Sequence, residues 1–143
     1  MQDFNIKMKR LKPEAKMPTY AHPGDVGMDL YSLESYILKP GERRIFFVGF
    51  ALEFPDGYGA FVMDKSSTSK AGLKTMGGVF DAGYRGEYNV QLINLSDTDY
   101  HIEVGDKIAQ LVILPVMIQK PEEVSELSET VRGTGSFGST GKK

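Results

Sequence analysis

The 143-residue chain contains no cysteine, which excludes disulfides and thiolate metal sites outright. Its two histidines, His22 and His101, are too few and too far apart for a dedicated zinc site. A basic excess is missing as well. The formal net charge of −2 argues against general nucleic-acid binding, for which a surplus of Lys and Arg neutralises phosphates. Long apolar runs are also missing. The longest, Ile108 to Ile118, is interrupted by Gln110 and Pro115 and falls well short of the ~20 residues of a membrane span. Basic residues near the start lead into no apolar stretch, so neither a signal peptide nor a membrane partner is expected, and a soluble cytoplasmic protein is. No internal repeat and no long amphipathic helix stands out.

What is present is a succession of short β-rich runs separated by turn residues. Phe4–Met8 alternates and reads as a first strand, followed by a Pro-rich approach through Pro13, Pro18 and Pro23. Gly24–Ser32 and Ser35–Leu38 read as short strands, Arg43–Leu52 as the longest, and Ala60–Met63 as a brief one. Asp64–Leu73 is the single stretch where a helical turn fits. Asn89–Asn94 and Tyr100–Val104 are strands around a Ser-Asp-Thr-Asp turn, and Lys107–Val116 reads as a strand buried on both faces. From Pro121 the composition turns to Glu, Ser and Thr, marking the end of the packed body. Turn signals at roughly 8–12-residue spacing imply an all-β sandwich, jelly roll or barrel. The expected organisation is a β-rich body over residues 1–120 and a flexible Gly/Ser-rich arm over 121–143.

The stretch from Gly77 to Gln91 carries the most chemistry. Val79 and Phe80 lead in, Asp81-Ala82-Gly83 turns, and Tyr88, Val90 and Leu92 lead out in alternation, as in a β-hairpin. Glycines at 77, 78, 83 and 86 free the backbone for positive φ and let a flat ligand approach the main chain. Asp81 and Tyr84 stand beside that bare backbone, as a slot for a small planar ring with an acid at its rim would need. An ordinary Asp-Gly turn accounts for the same residues.

Three further segments bear on function. Lys65-Ser66-Ser67 offers a cation and two hydroxyls where a helix opens, suited to an anion and equally to a solvated, N-capped loop. Gln110, inside an apolar strand, and Asp29, between Met28 and Leu30, must each find hydrogen bonds or face a wet site. The tail Arg132-Gly133-Thr134-Gly135-Ser136-Phe137-Gly138-Ser139-Thr140-Gly141 is rich in backbone N–H and hydroxyl donors that can close over phosphate oxygens. Its composition fits a disordered linker too, and Phe137 gains nothing there without something to stack on.

Taken in order, Gly-x-Asp-Leu, basic-Ser-Ser, Asp-x-x-Tyr-Arg-Gly, Gly-Asp-Lys-Ile-Ala-Gln and Arg-Gly-x-Gly-x-Phe-Gly-Ser-Thr-Gly closely resemble the five motifs of the trimeric deoxyuridine triphosphatase (dUTPase) family. The resemblance spans about Gly24 to Gly141. It implies an all-β, jelly-roll-like β-clip subunit in a homotrimer whose active sites lie between subunits. The implied reaction is hydrolysis of dUTP to dUMP and pyrophosphate by water attack on the α-phosphorus, which keeps uracil out of DNA and supplies dUMP for thymidylate synthesis.

Carried onto matching positions, the main chain from Gly78 and Val79 to Tyr88 would read uracil, Tyr84 would pack under the deoxyribose, and Asp81 would hold the attacking water as general base. Lys65, Ser66, Ser67 and Gln110 would contact phosphates, Gln110 also lying near the water. Arg132, Gly138, Ser139 and Thr140 would close over the phosphates from another subunit, Arg132 taking part in catalysis, with Phe137 stacked on the base. Mg²⁺ would ride on the triphosphate and its waters, and Asp29 would reach it through water.

The second motif departs from the family's usual Pro-Arg-Ser-Gly. Lys65 supplies a point charge in place of a planar fork, Asp64 adds a negative charge nearby, and Ser136 stands where the arm usually has glycine. The Ser-Ser variant also draws in the related dCTP deaminases and the bifunctional deaminase–dUTPases. Their catalytic glutamate matches Gln91, whose amide cannot shuttle a proton. A non-catalytic nucleotide-binding regulator on the same scaffold is a further alternative, although the chain retains both Asp81 and the tail.

Overall fold

The computed structural model describes residues 4–141. Lys142 and Lys143, the end of the expected arm, lie outside the described residues. The described residues form eleven strands and one short helix. In order these are β1 (Lys7–Arg10), β2 (Met28–Tyr31), β3 (Tyr36–Leu38), β4 (Arg43–Phe47), β5 (Phe50–Glu53), β6 (Tyr58–Met63), α1 (Ser66–Lys70), β7 (Leu73–Met76), β8 (Val79–Asp81), β9 (Asn89–Asn94), β10 (Tyr100–Ile102) and β11 (Lys107–Pro115).

All ladders are antiparallel. A four-stranded sheet runs β2-β11-β6-β8 and a three-stranded sheet runs β4-β9-β7, while β1 pairs with β5 and β10 with β3. The core lies between these sheets and contains Leu30, Leu38, Phe46, Phe50, Leu92, Ile102 and Leu111, among others. Each such side chain contributes about 1.5–3 kcal/mol by leaving water. As expected, β11 is buried along its middle, with Ile108, Ala109, Leu111 and Val112 all inaccessible. β9 alternates, sending Val90, Leu92 and Asn94 inward. Fully buried Asn94 is hydrogen-bonded at both ends of its amide. Its Nδ2 donates to the carbonyls of Leu38 and Thr98 at 2.8 Å, and its Oδ1 accepts from the Ser96 N–H at 2.9 Å and hydroxyl at 2.7 Å. It ties β9 to the loop before β10.

Three expectations need correction. The first strand begins at Lys7, because Phe4 leaves the ladder to pack its ring 4.5 Å from that of Tyr58. Arg43–Leu52 is two strands in different sheets. Gly49 bends the chain between them at φ +76°, where a Cβ would come within 2.6 Å of Ala15 Cβ. The stretch from Gly77 to Gln91 is not a paired hairpin either. β8 pairs with β6 and β9 with β4 and β7. The change of sheet happens at Gly77-Gly78, where Gly78 (φ +90°) presses so close that a Cβ would lie 2.9 Å from Val62 O. Only Gly77 and Gly78 of the four glycines in this stretch take positive φ. β7 was not foreseen, since Lys74 and Thr75 interrupt any apolar run.

Residues 117–141 contain no strand or helix, are exposed throughout, and form only local turns such as Gly133 N–H to Thr130 O and Ser139 N–H to Ser136 O. No helix among the described residues is long and apolar enough to cross a membrane.

Candidate active site

Asp81 closes β8, opposite Gly59 of β6, and faces solvent. Its carboxylate has no hydrogen-bonding or ionic partner among the described residues. Its carbonyl accepts the Tyr84 N–H at 3.0 Å, so a tight turn fixes acid and aromatic relative to each other. Arg85 stiffens that turn by donating to the carbonyls of Ala82 and Tyr84 at 2.6 and 3.1 Å. Because β8 is the last strand of its sheet, the outward half of its N–H and C=O groups, around exposed Val79, is open to a ligand. The Gly78 carbonyl is taken by Val62 N–H at 2.7 Å.

Tyr88 departs from its expected place beside the ligand. It shares parity with Val90 and Leu92 and is therefore drawn into the core. Its ring is fully buried, stacked 4.2 Å from Phe80 and 5.7 Å from Phe50. Its N–H donates to Phe50 O and its carbonyl accepts from Val48 N–H. The hydroxyl has no partner among the described residues, and burial pushes its pKa up to about 12.

A second constellation forms where β2, β11 and the end of β6 meet α1. Gln110 stands opposite Asp29 on one side and Met63 on the other. Its Nε2 donates to the Asp64 carbonyl at 2.8 Å, so one amide N–H satisfies the backbone. Its Oε1 lies where a Cβ on Gly27 would be, 2.3 Å from that position. Asp29, nearly inaccessible, receives the ammonium of Lys65 on Oδ1 and that of Lys107 on Oδ2, the latter at 2.6 Å. Burial alone would raise its pKa, but the hydrogen bonds from Lys107 and Lys65, with their charges, hold the carboxyl below the usual carboxylate range. Lys107 is raised in turn, chiefly by its hydrogen bond to Asp29. Two ammonium groups on one carboxylate leave the cluster cationic. Ser66 and Ser67 are exposed on the first turn of α1. Lys65 is the N-cap residue, but its side chain makes no capping bond.

Asp64 does not direct its charge at this cluster. Its Oδ1 accepts Thr75 N–H at 2.7 Å and Thr75 Oγ1 at 2.8 Å, and its Oδ2 pairs with Lys74 at 2.7 Å. These bonds outweigh the effect of burial and lower its pKa.

The two constellations do not meet within one copy. Asp81 is level with Gly59 at one end of β6 and Gln110 with Met63 at the other. That is about 13 Å along the strand, plus two strand spacings across the sheet. Arg132, Phe137, Gly138, Ser139 and Thr140 meet neither. Arg132 Nε bonds Gly135 O at 3.0 Å, and Phe137 is fully exposed. Gln91 lies on the three-stranded sheet opposite Ile45 and Met76, its Nε2 3.7 Å from where a Cβ on Gly77 would stand.

Lys107, Lys74 and Thr75 were missed in the sequence. Lys107 reaches Asp29 because the β11–β2 register shifts between Lys107 and Ala109, and a bulge leaves no mark in composition. Glu87 was missed as well. Its carboxylate accepts Gly49 N–H at 2.9 Å and pairs with Lys12 at 2.9 Å, contacts between segments far apart in the chain.

Among the described residues no group of three or more His, Cys, Asp or Glu could cage a metal ion. The donor set fits only a cation carried on a ligand's own oxygens and waters, as Mg²⁺ prefers on phosphates.

A deoxyuridine 5'-triphosphate nucleotidohydrolase of Clostridium tetani is 43% identical, covering 99% of this chain and all of its own. A mutant dUTPase of Staphylococcus bacteriophage 80alpha, solved with dUpNHpp, superimposes with a TM-score of 0.89 at 31% identity, over 96% of this chain and 98% of its own. A mutant dUTPase from phage phi11 of S. aureus, described for its coordination of a structural Mg(II) ion, gives a TM-score of 0.81 at 27% identity over 88% and 100%. The dUTPase family pattern matches residues 13–141, and the chain, all-β with the jelly-roll-like β-clip architecture of these relatives, belongs to the dUTPase family.

Proposed function

We propose that this chain hydrolyses dUTP to dUMP and pyrophosphate in the cytoplasm, as a homotrimer in which each active site is built from more than one copy. The observation that carries the shared site is the separation of Asp81 from Gln110 along β6. Two groups needed at one phosphorus cannot converge inside a single copy. A head-to-tail ring of three copies sets the Asp81–Tyr84 turn of one against the Lys65–Gln110 end of the next.

Asp81, without a side-chain partner among the described residues, takes a proton from the attacking water. The water oxygen bonds to the α-phosphorus as the bridge to the β-phosphate breaks, and pyrophosphate leaves. Gln110 has one N–H on Asp64 O and retains a second for the α-phosphate or the water. Lys65, Ser66 and Ser67 offer their donors to the phosphates, where charge neutralisation does most of the work. The open edge of β8 at Gly78 and Val79 reads uracil through main-chain groups, and Tyr84 underlies the deoxyribose and excludes a 2′-hydroxyl.

The arm from residue 121 onward supplies Phe137 to stack on the base and Arg132, Gly138, Ser139 and Thr140 to close over the phosphates. Its ordering entropy is offset only when nucleotide is bound. A Mg²⁺ ion carried on the triphosphate would supply charge neutralisation at the phosphate oxygens; Asp29, whose two oxygens already hold Lys65 and Lys107, would reach it only through water.

The test is pyrophosphate release from dUTP, dCTP, UTP and dTTP side by side, with ammonia measured in the dCTP reaction. Turnover confined to dUTP is expected, and ammonia from dCTP would count for a deaminase instead.

A further inference from the structure

Tyr84 is an exposed residue held as firmly as a buried one. The residue is 39% exposed, yet its ring packs at 5.5 Å from the Phe80 ring and 5.9 Å from that of Tyr88. Its underside lies directly on Gly86, where a Cβ would come within 2.3 Å of Tyr84 Oη. Its hydroxyl donates to the Glu87 carbonyl at 3.0 Å. The ring's height is therefore tied to the position of that carbonyl as well as to these packing contacts.

Glu87 is fixed from its other side. Its Oε1 accepts the Gly49 N–H at 2.9 Å and the Lys12 ammonium at 2.9 Å. Gly49 is the bend between β4 and β5. The next residue, Tyr88, is tied to the same bend by Tyr88 N–H to Phe50 O and Val48 N–H to Tyr88 O. The carboxylate thus anchors the segment after Gly86 to the body of the fold, and the carbonyl of the same residue holds the tyrosine.

We propose that Glu87 is the positioning residue for sugar discrimination: through Gly49 and Lys12 it sets the height of the Tyr84 ring, and with it the room left for a 2′-hydroxyl. The inference rests on Tyr84 packing under the deoxyribose. The carboxylate itself touches no substrate. Without it the segment keeps its main-chain ties at Tyr88 but loses its hold on Gly49 and Lys12, which lets the carbonyl shift and the ring drop to admit a ribose. A misplacement of about 1 Å is enough to change rates a hundredfold.

The test compares kcat/KM for dUTP and for UTP in wild type, Glu87→Ala, Glu87→Gln and Tyr84→Phe. Glu87→Ala should lower the dUTP preference by about tenfold or more, mainly by raising turnover of UTP. Glu87→Gln keeps an oxygen for the Gly49 N–H and should restore most of the preference. Tyr84→Phe, which cuts the same link from the tyrosine side, should lose preference as Glu87→Ala does. The double variant Glu87→Ala/Tyr84→Phe should lose little more, since both act on one contact. A merely structural role would lower both substrates together and leave their ratio unchanged, which overturns the inference, as does a Gln variant no better than Ala. If Glu87→Ala does not fold, Tyr84→Phe and Glu87→Gln decide. A wild-type protein inert toward dUTP would refute the proposed function itself, and one that turns over dUTP and UTP alike would refute the Tyr84 reading and this inference with it.

Discussion

Lys107 of β11 crosses to β2 and places its ammonium 2.6 Å from the Asp29 carboxylate, on the opposite oxygen from Lys65. Asp29 has a lowered pKa, so its contribution to stability is fully present above its unfolded value near 3.8 and is lost as pH falls through the folded value. Lys107 is raised, so its contribution holds below 10.5 and fades as pH rises through its folded pKa. Asp29→Asn should lower Tm by about 5 °C at neutral pH by leaving two cations without their counter-charge. The gap from wild type should close as the pH drops below 4. Calorimetric scans of both proteins across pH check this, and a gap that stays constant in acid would contradict the ion-pair account.

Asn94 is the polar group most enclosed by the core. Replacing it with alanine removes the side-chain donor from the Leu38 carbonyl and the acceptor from the Ser96 N–H, and leaves the Thr98 carbonyl only the Ser96 hydroxyl. The expected cost is about 3 kcal/mol. Urea unfolding should show a lower midpoint with an unchanged m value.

Asp81→Asn should reduce turnover by about 10²–10⁴-fold while leaving dUTP binding by calorimetry nearly intact. Gln110→Ala should be impaired separately. The two residues sit at opposite ends of β6, so in the proposed shared-site trimer mixed assemblies of the two variants should contain sites in which both are native. Unfolding and refolding the two together should recover a measurable fraction of pyrophosphate release that neither shows alone. No recovery would place the whole site within one copy.

Deleting the chain after Val131 removes Arg132, Phe137, Ser139 and Thr140 but no described core residue, since residues 117–141 are exposed. Pyrophosphate release should fall by at least about 10²-fold, with oligomeric mass by light scattering and Tm unchanged. Full activity after truncation would remove the arm from the mechanism.

Composition, turn spacing and the five ordered motifs were enough to read an all-β chain, the buried middle of β11 and the family, because each is written in residue type and local order. Asp81, Tyr84, Lys65 and Gln110 could be named from those motifs alone. Tyr88 was carried beside the ligand by its place in the motif, but its shared alternation with Val90 and Leu92 gives its ring to the core. The break at Gly49 and the change of sheet at Gly78 were also hidden, since a glycine's dihedral is chosen by what presses on it, here Ala15 and Val62. The sequence by itself therefore determined the chemistry available: an acid, a tyrosine, a lysine beside two serines and a donor-rich arm. Only the tertiary structure decided who meets whom. Strand pairing is a long-range choice made by packing, and it joined Lys107 to Asp29 and Glu87 to Gly49 while holding Asp81 and Gln110 apart along β6.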